Sequence, residues 1–93
     1  MHEESAIKDA SRKVVAFYGS HLALARALGY DDLRNVSYWA RGDRAFSPQH
    51  CVTIERDTKG AVMRWDLRPD DWHLIWPELR RRKDAPAVSK AVA

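Results

Sequence analysis

One cysteine among 93 residues excludes an internal disulfide, and no second thiol is present to join Cys51 in a metal-ligand pair. Cys51 therefore reads as a small buried hydrophobe. Long apolar runs are missing too: the longest, around Val14 to Tyr18, falls far short of the ~20 residues that a bilayer crossing needs. The opening Met-His-Glu-Glu is acidic and unlike a secretory signal, so the expectation is a soluble, cytoplasmic protein that makes no use of a membrane. There is no glycine-rich phosphate loop. The histidines, His2, His21, His50 and His73, are scattered and never place two imidazoles on one helix face beside a thiol, which leaves no metal site to expect. His50 and Cys51 are neighbours, but consecutive residues point about a hundred degrees apart on a helix and no third group orients them as a nucleophile pair. Asp66, Asp70 and Asp71 suit caps and surface charge better than a paired acid and base. The sequence thus predicts a protein that is not an enzyme and takes no cofactor.

What charge there is sits unevenly. The net charge is +3, yet residues 1–76 hold eleven Lys/Arg against eleven Asp/Glu, and the surplus lies in residues 77–93 with five basic groups against two acidic ones. A basic composition is therefore weak support for a nucleic-acid partner, and patterning within the first sixty residues must carry any such reading.

That patterning is helical. Ile7, Ala10, Val14 and Phe17 make an apolar stripe with Lys8, Asp9, Arg12 and Lys13 on the wet side, and Gly19 supplies a stop. Ser20 offers an N-cap for a second helix from His21 to Leu28, with Leu22, Ala25 and Leu28 facing in, Ala23 or Leu24 at the flank, and Gly29 ending it. A third helix follows almost at once, capped by Asp31 or Asp32, with Val36, Trp39 and Ala40 inward and an end near Gly42. Ser47-Pro48 starts a fourth, with Cys51, Ile54 and Thr58 inward and Val52 beside them, closed at Gly60. A short fifth element spans about Val62 to Leu67 and stops before Pro69, and Asp70 can cap one more turn from Trp72 to Trp76. The fold class is all-α, a compact bundle of about five short helices, with a domain over residues 1–76 and a basic tail over 77–93 that reads as flexible.

Two short helices joined by a glycine turn form the helix-turn-helix, which presents its second helix to the major groove of double-stranded DNA. Here the unit spans Ser20 to Arg41. Ala25 is small where the next helix crosses, and Val36 and Trp39 anchor that helix from below, so Arg34, Asn35, Ser37, Tyr38 and Arg41 are free to meet DNA. Arg34 and Arg41 can donate in pairs to guanine or to phosphate, and Asn35 can pair with adenine. Ser20, His21 and Arg44 are candidates for phosphate contacts.

Ala-Leu-Ala-Arg-Ala-Leu-Gly (23–29), Val-Ser-x-Trp (36–39), Ser-Pro-x-His-Cys with Ile-Glu-Arg (47–56) and Asp-Leu-Arg-Pro-Asp (66–70) stand in this order. Over residues 5–76 the chain resembles the Cro/YdaS-like regulators of bacteria and their phages. The resemblance implies a bundle of the lambda-repressor-like kind, binding to operator DNA as a homodimer, and a role as repressor or as antitoxin-like regulator. Three departures stand out against that pattern: one extra residue between Gly29 and Val36, the carboxylates Asp31 and Asp32 where relatives carry Ser or Gln, and Met63 where relatives cap with Ser or Thr. Asp32 could accept from a cytosine amine or be turned away as a cap.

Trp65, Trp72 and Trp76, with Ile75, are a heavy aromatic load for a terminal segment. They either enlarge a small core or build an interface, since aromatics are enriched in both. The alternative to a DNA regulator is accordingly a protein-interaction module that keeps the helix-turn-helix as scaffold and binds a toxin or regulatory partner through this segment.

Overall fold

The computed structural model describes residues 3–87, and the elements over that span are helical: α1 (Glu3–Tyr18), α2 (His21–Ala27), α3 (Arg34–Ala40), α4 (Pro48–Asp57), α5 (Arg64–Leu67), α6 (Trp72–Ile75) and a closing 3₁₀ turn (Pro77–Arg81). In α1 the buried residues are Ala10, Ser11 and Val14. The inward stripe ends on Tyr18 rather than on Phe17, which is 52% exposed. Eleven residues complete about three helical turns, so position 18 returns to the azimuth of Ile7 while position 17 falls well to one side. The Tyr18 hydroxyl donates to an Asp57 carboxylate oxygen at 2.7 Å and ties α1 to the end of α4. Burial, reinforced by that bond, raises the Tyr18 phenol pKa.

Ser20 caps α2 as its position suggests, with its Oγ accepting from the Ala23 N–H at 3.0 Å. The buried face of α2 is Leu24 and Ala25, with Leu28 half-buried, whereas Leu22 lies outside. The helix touches both α1 and α3, and Leu24, not Leu22, takes the fully buried place in the core. Gly29, at φ +92°, then lets the Tyr30 N–H return to the Ala25 carbonyl at 2.9 Å.

The connection to α3 is longer than the sequence suggested. Leu33 stands at the N-cap position and gives no side-chain bond, while Asp32, one residue earlier, accepts the Arg34 N–H at 3.0 Å. The delay has a cause in Tyr30. Its ring turns inward against Trp39 and His50, and its hydroxyl meets His50 Nε2 at 2.8 Å, so the chain must pass through this anchor before helix geometry can begin.

Val36 and Ala40 bury α3, and Trp39 lies half-buried between Phe46 and His50. In α4, Cys51 and Ile54 face inward together with His50, as does Thr58 at its C-terminal cap, while Val52 is turned out. Ser47 occupies the N-cap position without making the side-chain bond. Met63 precedes α5, and the missing hydroxyl cap is replaced from within the helix: the Asp66 carboxylate accepts the Met63 N–H at 2.9 Å. Asp71, not Asp70, sits at the N-cap of α6, and its carboxylate is held by Arg68 at 2.9 Å. Packing continues past residue 76. Pro77 opens the 3₁₀ turn, and Leu79 (4% exposed) joins Trp72 and Trp76 in the core, with Ala85 against the same cluster. Residues 88–93 of the basic tail lie outside the described residues.

Candidate nucleic-acid interface

With Val36 and Ala40 turned into the core, the helical period leaves Arg34, Tyr38 and Arg41 stacked at intervals of four and three along the opposite face of α3. These three and Asn35 are exposed, and Ser37 is half-buried at the flank. The structure therefore brings Arg34, Asn35, Tyr38 and Arg41 onto one surface. The Arg34 side chain is 90% exposed, and its Nε lies 3.7 Å from the Asp32 carboxylate that also accepts the N–H at the helix start. Asp32 is thus turned towards its own helix.

At the other end of α3 the charges gather around Tyr38. The Arg44 guanidinium carbon lies 4.5 Å from the centre of the Tyr38 ring and that of Arg41 lies 5.4 Å away, both within cation–π range. The Tyr38 carbonyl accepts the N–H groups of Asp43 (2.9 Å) and Arg44 (3.3 Å), which folds the loop back beneath the ring and sets Arg44 beside α3. Ser20 and His21 sit on a separate element, at the start of α2, Ser20 exposed and His21 half-buried. The Ser20 oxygen is engaged as a cap acceptor, and its hydroxyl proton stays free to donate.

Two residues of this surface were not singled out in the sequence. Asp43 receives Arg41 Nε at 3.0 Å on one oxygen and faces Lys8 Nζ at 3.7 Å on the other. Lys8 belongs to α1, thirty-five positions before Asp43. What joins them is Gly42, which is buried with φ +77° and presses so close to α1 that a Cβ there would stand 2.9 Å from the Lys8 Cα. In the sequence Gly42 reads only as a helix stop; that it is buried against Lys8 is decided by the packing of the loop on α1.

The sequence comparisons bear on the same elements. Residues 12–75 match the family model described as bacterial toxin YdaS. The chain belongs to this YdaS family. Within it, the chain is 37% identical over 70 residues to the protein called "Putative transcriptional regulator YdaS" from Escherichia coli (strain K12), an alignment that spans 75% of this chain and 67% of that one. No solved structure matches the chain. The part of the chain that matches the YdaS model begins within α1 and runs through α6, so it holds the whole α2–α3 unit and the Tyr38 cluster. No helix among the described residues is long and apolar enough to cross a membrane.

Proposed function

We propose that the protein is a non-catalytic, sequence-specific regulator of transcription that lays α3 in the major groove of double-stranded DNA. One observation carries the reading: the exposed face of α3 offers Arg34, Asn35, Tyr38 and Arg41 while Val36 and Ala40 fix the helix from behind. A donor-rich helix face held rigidly against a second short helix suits base-edge readout, in which each well-placed bidentate pair is worth about 1–3 kcal/mol of discrimination. Arg44 on the Tyr38 ring, and Ser20 and His21 at the start of α2, serve as phosphate contacts in this reading. Two copies acting as a homodimer would present their α3 helices about 34 Å apart, one turn of the duplex. The likeness to a relative whose name describes a transcriptional regulator supports the same function class.

The test separates base contacts from backbone contacts. Arg34→Ala should weaken binding to a selected duplex by about tenfold or more and flatten the preference among duplexes. Arg44→Ala should weaken all sequences alike and make affinity less steeply dependent on salt by about one unit of log-log slope. Unchanged affinity in both variants would remove α3 as the DNA-facing surface.

A second reading is a scaffold whose tryptophan segment binds a toxin or regulatory partner, motivated by the aromatic load of Trp65, Trp72 and Trp76. Against it, Trp72 and Trp76 are buried in the core, which leaves Trp65 and Ile75 as the half-buried members of that segment. A protein of that kind would show neither salt-sensitive nor sequence-dependent binding to duplex DNA.

A further inference from the structure

Asp43 sits among cations at the C-terminal end of α3. Its two oxygens face Arg41 Nε (3.0 Å) and Lys8 Nζ (3.7 Å), so both cations converge at the C-terminal end of the exposed α3 face. All three side chains are accessible: Lys8 is 38% exposed, Arg41 55% and Asp43 43%. The Gly42 backbone packs closely on the main chain and Cγ of Lys8, which brings the loop against α1 and sets the Lys8 ammonium within reach of Asp43. Two donors converging on one anionic group are also the arrangement that a phosphate oxygen pair would satisfy.

Resting on the reading of α3 as the DNA-facing helix, we propose that Asp43 is a built-in competitor for DNA phosphate: it occupies Lys8 and Arg41 in the free protein and yields them to the backbone of bound duplex. Lys8, on α1, thereby becomes part of the DNA surface. The exchange is easy because ion pairs at this exposure are weak in water, whereas the transfer of two cations to the duplex releases condensed counterions. The arrangement lowers affinity for DNA of any sequence while leaving base readout by Arg34 and Asn35 untouched. A uniform loss cancels in the ratio of two affinities, so the arrangement sets the strength of binding while specificity stays with the bases.

The experiment measures affinity for a selected duplex and for an unrelated one over a series of salt concentrations. Asp43→Asn should tighten binding to both duplexes by about threefold to tenfold and steepen the log-log salt dependence by about one unit. Lys8→Gln should loosen both by about threefold with a shallower slope, and in the Lys8→Gln background Asp43→Asn should still tighten binding, by less than in the unmodified protein, because only Arg41 is left to release. Melting temperatures taken alongside report folding, and Lys8→Gln leaves the Asp43–Arg41 pair in place. If the unmodified protein binds DNA but Asp43→Asn binds equally or more weakly, Asp43 merely orients Arg41 and the competitor role is overturned. If the unmodified protein binds no DNA at all, the reading of α3 falls first and takes this inference with it.

Discussion

At the scale of single residues, two glycines with left-handed backbone are asked to do different things. Gly29 ends α2 with open space where a Cβ would go, whereas Gly42 lies against the Lys8 backbone. Gly29→Ala should therefore carry only the conformational cost, about 1 kcal/mol, and Gly42→Ala should lose about 3 kcal/mol because a clash with main chain is added. Chemical denaturation of the two variants checks the ranking, and equal losses would mean that the loop gives way. His50 offers a second measurement. Burial lowers its pKa below the ordinary value of 6.5, so the unfolded chain takes up a proton before the folded one does. Its contribution to stability is whole at neutral pH and above, declines as the pH falls through 6.5, and levels off once the folded imidazole is protonated as well. The melting temperature of the protein should drop more between about pH 7.5 and pH 5.5 than that of His50→Gln; parallel drops would assign the effect to other groups.

At the scale of elements, α5 and α6 hold four residues each, too short to persist without tertiary support. Arg68, in the linker between them, supplies much of it. Its Nη1 donates to the Phe46 carbonyl at 2.7 Å, while Nε (3.0 Å) and Nη2 (2.9 Å) hold the Asp71 carboxylate at the head of α6. Glu55 works in the same way between α4 and α5, accepting both the backbone N–H (3.0 Å) and Nε (3.2 Å) of Arg64. Arg68→Ala leaves a carbonyl and a carboxylate without their partner and should destabilise the fold by about 2 kcal/mol. Hydrogen exchange should show the extra opening concentrated in residues 64–79. A uniform change along the chain would count against a local strut.

At the scale of the whole molecule, one side chain reports on the integrity of the core. Cys51 has no exposed surface, and its thiol donates to the Phe46 carbonyl at 3.5 Å. Burial pushes the thiol pKa up to about 12, so the thiolate that reacts with alkylating reagents is scarce as well as inaccessible. Alkylation of the native protein at about pH 8 should run at least about 100-fold slower than in denaturant, at a rate set by opening of the fold. Rapid labelling would show that α4 separates from α5 far more often than the packing around Cys51 allows.

Local spacing was enough to read the all-helical class, the two-helix corner and the outward position of Arg34, Tyr38 and Arg41. Glycine stops, Ser and Pro starts and the apolar period act within one turn of chain, and each can be seen in a window of a few residues. At the edges of two helix faces spacing chose wrongly: it put Phe17 in the stripe of α1, where Tyr18 turns inward, and it put Leu22 on the inward face of α2 with Leu24 at most at the flank, where Leu24 is buried and Leu22 is exposed. The outcome in each case was set by what the other helices presented, Asp57 for Tyr18 and the shared core for Leu24. The long turn before α3 belongs to the same class, because Tyr30 finds His50 only after α4 has been placed. So does the meeting of Lys8 with Asp43, groups thirty-five positions apart. Helices and their faces follow from the chain alone because their forces are short-ranged in sequence. Which side chains pair across them was decided by tertiary packing, since contact between distant segments depends on every element that holds them in place.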